Sequence, residues 1–280
     1  MNGAGQHVGA FLGMCCAALL AGCSATIDQE SFFPAAASAP ASTLIAPAGY
    51  TLEDALIELP GLGQLHVVRL DNPASKTAVV YSGGNGNFVA SLSARAGALA
   101  EATGADLILY DYPGRGGTTI ASTIDASLAT GPAMVAALKA RGWIGEGPVY
   151  AYGFSFGGSQ AAAMVREGGF AGLVIESSAA DIAAVGRNFV PKIAKPFIKL
   201  EIDPALSQFD YLGYASVTKV PVLLLSASAD TVVTEANMKD FADQLRARGV
   251  AATMVVVPGV HGAALGHDDA LAAIKAFIRP

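Results

Sequence analysis

Charge is scarce in this chain: only 14% of its 280 residues are Asp, Glu, Lys or Arg, while 52% are hydrophobic. No run of like charges occurs, and this apolar content argues against a disordered chain. Acidic side chains outnumber basic ones by 23 to 17, so the net charge of −6 argues against nucleic acid as a main partner. Cysteine is rarer still. The three present, Cys15, Cys16 and Cys23, all fall in the first 23 residues. The rest of the chain therefore has no means of building a disulfide framework or a thiolate metal site. There is no internal repeat, no heptad pattern and no P-loop. The length suits one large core and is short for two ordinary domains.

What the amino terminus does contain is an apolar stretch from Val8 to Gly22 that ends at Cys23. It is too short to span a bilayer comfortably and has the length of a signal-peptide core. Its end, Leu20-Ala21-Gly22-Cys23, resembles the lipobox of bacterial lipoproteins, although the preceding segment has His7 and neither Lys nor Arg. The resemblance implies cleavage before Cys23 and acylation of that cysteine, with palmitate among the chains. With Ser24 next, it also implies lipid anchoring in the cell envelope, at the outer membrane. Residues 23–49 are rich in Ala, Ser, Pro and Thr and read as the lipidated cysteine followed by a flexible tether.

From residue 50 to the end, short apolar runs alternate with helical stretches. Strands are expected at Leu65–Leu70, Thr77–Tyr81, Asp106–Tyr110, Pro148–Tyr152, Ala171–Ile175, Val220–Leu225 and Thr253–Val257. Helices are expected at Val89–Thr103, Pro132–Arg141, Ser159–Arg166, Glu235–Arg248 and Ala270–Ile278. Strand and helix in alternation indicate an α/β domain: a mostly parallel sheet covered by helices on both faces, with functional loops at the carboxyl ends of the strands.

Gly153-Phe154-Ser155-Phe156-Gly157 falls between one such strand and helix. Glycines are needed there because a serine on a sharp strand-to-helix turn leaves no room for neighbouring side chains. An activated serine requires a base within hydrogen-bond reach and a carboxylate to orient the base. His261 follows the last strand and is the favoured base; His267 reads as a helix-start residue and His66 as a half-exposed sheet residue. Asp230 sits in the loop after Val220–Leu225, where a turn or helix-capping role is equally natural. The run Ser82-Gly83-Gly84-Asn85-Gly86-Asn87 lacks the Lys-Ser or Lys-Thr of a phosphate loop and the third glycine of a dinucleotide fingerprint. Glycines there allow close approach of backbone N–H groups to a developing oxyanion.

The motif around Ser155, the chain order Ser155, Asp230, His261, the glycine-rich run and Asp111-Tyr112-Pro113-Gly114-Arg115-Gly116 together resemble the alpha/beta-hydrolase superfamily, in its small-cap serine hydrolase branch. The likeness spans about Leu65 to Ile278, with Ser82 standing where relatives often carry His. It implies the alpha/beta-hydrolase fold, with residues 178–219 as a small cap-like insertion. Three lysines in that insertion, Lys192, Lys195 and Lys199, suit anionic lipid headgroups or an acidic substrate, or form a solvated face. The resemblance also implies a Ser155–Asp230–His261 triad. The oxyanion hole is expected from the amides of Phe156 and Gly84, with Asn85 as alternative for the second. The activity expected is hydrolysis of a small-molecule or lipid ester through an acyl-enzyme, without metal or organic cofactor. Thioesterase, peptidase or acyltransferase chemistry on the same triad, and a lipoprotein that only binds, stand as alternatives.

Overall fold

The computed structural model of the protein describes residues 23–29, 41–190, 198–217 and 219–279. The segment expected to be a signal peptide, residues 1–22, lies outside them. The strands and helices follow in the order β1 (Cys23–Ile27), β2 (Thr51–Leu59), β3 (Gly63–Asp71), β4 (Ala78–Ser82), α1 (Ser93–Thr103), β5 (Asp106–Tyr110), α2 (Ile124–Arg141), β6 (Val149–Phe154) and α3 (Gly157–Arg166). Then come β7 (Gly172–Glu176), α4 (Ile182–Phe189), β8 (Ile198–Ile202), α5 (Tyr211–Val217), β9 (Val222–Ala227), α6 (Glu235–Ala247), β10 (Ala252–Val257) and α7 (Asp268–Phe277).

Eight strands form one sheet in the order β10-β9-β7-β6-β4-β5-β3-β2. Only β3 runs against its neighbours, pairing antiparallel with both β2 and β5. The central strands are apolar at nearly every position because both faces are covered. On one face Val79, Tyr81, Tyr150 and Tyr152 pack against α1 and α7. On the other, Val80, Ala151, Leu173 and Leu224 pack against α2, α3, α5 and α6. Alternation along each strand thus builds two cores from one sheet. This is the alpha/beta-hydrolase fold.

Several elements differ from the sequence reading. The edge strand β2 carries a half-exposed alternating pattern that gives a weak apolar signal. Helix α2 starts at Ile124, capped by Thr123, whose side chain accepts the Ala126 N–H, and continues through Pro132. A proline normally marks a helix start. Here tertiary packing holds the helix together: Gly131 lies so close to Met164 of α3 that a Cβ there would sit 2.3 Å from Met164 Cγ. The tether expected over 23–49 is held at both of its described ends. β1 pairs in parallel with β8 to form a second, two-stranded sheet. Leu44 is buried, and the Ile45 N–H donates to Ser93 Oγ at 3.0 Å. The insertion expected at 178–219 holds α4, β8 and α5, with Ile27 of β1 and Leu200 of β8 meeting at Gly186 of α4.

The reversed strand β3 is braced by His66. Its Nδ1 lies 2.6 Å from Asp111 Oδ2 and its Nε2 3.0 Å from Asp54 Oδ1. The Asp111 hydrogen bond, aided by the charges of both carboxylates and opposed by partial burial, raises the imidazole above its ordinary value of 6.5. A raised folded-state value means that His66 stabilises the protein fully below the unfolded imidazole range and progressively less as pH rises through the folded value. Thermal unfolding followed from mildly acidic to mildly alkaline buffer should show this loss in the wild type. His66→Gln should flatten that part of the profile; an unchanged profile contradicts the assignment.

Candidate active site

The strand β6 ends at Phe154, and Ser155 turns the chain into α3 with φ of 53°. A non-glycine residue in that left-handed region costs about 1–3 kcal/mol and persists only where its surroundings hold it. They do so here. The Ser155 N–H donates to the Glu176 carbonyl at 2.8 Å. The Ser155 carbonyl accepts from the Gly158 N–H at 2.9 Å and from Ser178 Oγ at 2.7 Å. The glycines around the turn are required by contact. A Cβ on Gly153 would lie 2.4 Å from the Gly157 carbonyl oxygen, one on Gly157 2.0 Å from the Ser82 carbonyl oxygen, and one on Gly158 2.3 Å from Ser178 Oγ.

Three distant side chains meet above this turn. His261 Nε2 lies 2.9 Å from Ser155 Oγ, and His261 Nδ1 lies 2.8 Å from Asp230 Oδ2. Asp230 follows β9, and His261 lies in the loop after β10, so adjacent strand ends deliver both. The other carboxylate oxygen, Asp230 Oδ1, accepts the N–H groups of Val232 and Val233 at 2.8 and 2.9 Å. Burial pushes the Asp230 carboxyl up, but the His261 bond and these amides outweigh it and hold the group below its ordinary value of 3.8. The aspartate is therefore anionic at neutral pH. Its turn role and its contact with His261 coexist, one oxygen serving each.

His267 sits instead at the N-cap of α7, in front of Asp268 and Asp269. Among the described residues no group of three or more His, Cys, Asp or Glu is arranged to hold a metal ion.

The glycine-rich run lies against the serine turn. Gly84 is so close to Phe154 that a Cβ would come within 2.8 Å of its ring. The Gly84 N–H, expected to face an oxyanion, donates instead to Asn87 Oδ1 at 2.7 Å. A glycine turn has its own hydrogen bonds to satisfy, and an Asn three residues on meets that need locally. The Asn85 side chain accepts from Arg115 Nη2 at 2.6 Å, which ties this turn to the Asp111–Gly116 loop. Phe156, next to the serine, stands edge-on to Tyr112 and to Phe209 of the insertion, with centroids 5.6 and 5.1 Å apart. Beside Phe209 the insertion forms an open pocket of about 330 Å³, with Ile182, Leu206, Asp181, Asp203 and Asp210 among its walls.

Two charged residues at the site were not singled out from sequence. Glu176 ends the apolar strand β7 and is fully buried. Arg95 of α1 forms an ion pair with it. The available signal was an acidic residue at the carboxyl end of an otherwise apolar strand, where functional side chains gather.

The crowding at Gly157 yields a direct test. Gly157→Ala should force the serine turn away from the Ser82–Gly83 backbone, lower thermal stability by about 1–3 kcal/mol and reduce activity. At the half-buried helix position Gly97, where a Cβ meets nothing within 4 Å, Gly97→Ala should stabilise by about 0.5–1 kcal/mol. Equal effects at the two positions contradict the steric account.

Residues 132–278, more than half of the chain, match the prolyl oligopeptidase family. A search of curated protein sequences found no match. Among solved structures, the chain is similar to the Pyrococcus furiosus esterase Pf2001, with 17% identity over 85% of this chain and 96% of that one and a TM-score of 0.67. It is similar to a mutant of esterase E40, with 18% identity over 85% and 86% and a TM-score of 0.62. A Pyrobaculum calidifontis esterase shares 20% identity over 82% and 85%, with a TM-score of 0.58. This chain is thus a serine hydrolase with the alpha/beta-hydrolase fold and belongs to the prolyl oligopeptidase family.

Proposed function

We propose that the protein hydrolyses carboxylic esters through an acyl-enzyme, with Ser155 as nucleophile, His261 as general base and acid, and Asp230 as the group that orients His261. The observation that carries this reading is the unbroken hydrogen-bonded chain from Ser155 Oγ through the imidazole to Asp230. As Ser155 attacks the carbonyl carbon, its proton passes to His261 Nε2, while Nδ1–H stays on Asp230 Oδ2 and the adjacent carboxylate steadies the imidazolium. The leaving alcohol takes the proton from Nε2. Water then attacks the acyl-enzyme, giving a proton to the same nitrogen, and His261 returns that proton to Ser155 Oγ as the acyl–serine bond breaks and the acid departs.

The developing oxyanion is met by the amide of Phe156 and by a second amide from the glycine turn. Asn85 supplies that second donor, or Gly84 does once Asn87 releases it. Loss of one such donor typically lowers turnover by about 10²–10³. The pocket beside Phe209 is a berth for part of the substrate, with Ile182, Ile202, Leu206 and Phe209 offering apolar contact and Asp181, Asp203 and Asp210 offering acidic contact. Peptide cleavage is the second reading, favoured by the family match. The two differ in the leaving group and share every residue named above.

A panel of nitrophenyl esters of increasing acyl length, run beside aminoacyl amides, separates these readings. Ester turnover that exceeds amide turnover, and that falls by roughly 10⁴-fold or more in Ser155→Ala, is the expected result. Amide turnover with Ser155 dependence favours the peptidase. Ester turnover unaffected by the substitution removes the mechanism.

We also propose that the protein is anchored in the bacterial outer membrane through acylated Cys23 after removal of residues 1–22. Metabolic labelling with palmitate should mark the wild type and leave Cys23→Ser unmarked and in the soluble fraction. Equal labelling of both contradicts the anchor.

A further inference from the structure

Arg95 projects from α1 toward the far side of the serine turn and joins three elements at once. Its Nε–H donates to Tyr81 Oη, at the end of β4, at 2.6 Å. Its Nη1–H donates to the carbonyl of Gly262, the residue after His261, at 3.2 Å. Its Nη2–H donates to Glu176 Oε2, at the end of β7. The guanidinium also covers the Phe154 ring, 4.3 Å from its centroid, and that ring contacts the His261 imidazole with centroids 5.1 Å apart. Gly262 has φ of +79°, and a Cβ there would lie 2.8 Å from Phe154. The loop carrying His261 therefore rests on the Arg95–Phe154 pair.

Glu176 completes the arrangement. Its Oε2 accepts Tyr152 O–H at 2.7 Å as well as Arg95, and Oε1 has no partner among the described residues. It lies beside Phe154 in sheet register, and its own carbonyl accepts the Ser155 N–H. A buried ion pair is weak evidence for added stability, so the contacts this one makes to the neighbouring elements carry more weight than its charge pairing. A planar guanidinium presents several donors in a fixed fork, which is what holding Tyr81, Gly262 and Glu176 together requires; an ammonium on a flexible stem lacks that geometry.

We propose that Arg95 is a positioning residue for His261, acting through the Gly262 carbonyl and the Phe154 ring, with Glu176 as the buried counter-charge that fixes its direction. This inference rests on the reading of Ser155, Asp230 and His261 as the catalytic triad. Arg95 does not touch substrate. It sets the height of the imidazole over Ser155 Oγ, where a displacement of an ångström is enough to slow the reaction about a hundredfold.

The test compares Arg95→Lys and the paired variant Arg95→Met/Glu176→Gln with the wild type and Ser155→Ala. Thermal unfolding, kcat and KM on an ester, the pH dependence of kcat/KM, and the rate of Ser155 labelling by a fluorophosphonate are measured for each. The paired variant leaves no unpaired charge in the core. Both Arg95 variants should fold, lose kcat and labelling rate about 10- to 100-fold with KM within about twofold, and shift the acid limb of the pH profile. If the paired variant fails to fold, Arg95→Lys, which keeps the charge balance, decides alone. Lowered melting with unchanged kcat, labelling and pH profile assigns Arg95 to stability only and overturns the proposal. Full activity in Ser155→Ala sinks the triad reading itself, whereas a dead Ser155→Ala beside active Arg95 variants sinks only this inference.

Discussion

Backbone crowding at Ser155 is the constraint on which the rest of the site depends. Strand β6, helix α3 and the Ser82–Gly83 segment approach so closely that Gly153 and Gly157 each occupy a space no side chain fits. The serine is left in a left-handed conformation, and its hydroxyl lies within hydrogen-bond distance of His261 Nε2. The strain is local, but what opposes it is distributed. A carbonyl from β7, an amide from α3 and a hydroxyl from the start of the insertion all close on Ser155. The hydroxyl is thereby placed with little freedom, and positional precision is what nucleophilic catalysis needs most.

Parallel topology explains why the partners arrive where they do. Neighbouring strands β7, β9 and β10 all end at the same rim as β6. Glu176, Asp230 and His261 follow or end those strands. The first stays beneath the sheet surface with Arg95, and the other two reach the hydroxyl. Asp230 is fixed by the Val232 and Val233 amides, and the His261 loop is fixed by Arg95 at Gly262. Both partners of the serine are thus held from behind by further hydrogen bonds.

The fold was legible in the sequence because its central strands are continuous apolar runs bounded by turn residues. Asp106–Tyr110 is the clearest case, since sequence and structure agree on both ends. What escaped notice lacked such contrast. β2 is half-exposed, and β1 and β8 gain their partners only from one another across a long stretch of chain. Pro132 has the look of a helix start and hides the first turns of α2, while the role of Thr123 as the cap lies in a bond from the Ala126 N–H. At the site, Ser155, Asp230 and His261 were readable from motif and chain order, and the structure brings them into contact. The engagement of Gly84 by Asn87 was not readable, because which amide a glycine turn satisfies internally depends on its register. The Arg95–Glu176 pair was hidden for a different reason. An arginine in an alanine-rich helix carries no mark of its ion pairing, and the packing of α1 against the β4–β7 strand ends makes it part of the site.

The central claim is that the imidazole of His261 activates the Ser155 hydroxyl in the folded protein. Fluorophosphonate treatment followed by peptide mass analysis tests it most directly. The account predicts a single adduct on the peptide containing Ser155, lost in His261→Ala while the fold is retained. Labelling elsewhere, no labelling of folded protein, or labelling of Ser155 that proceeds equally well without His261, contradicts it.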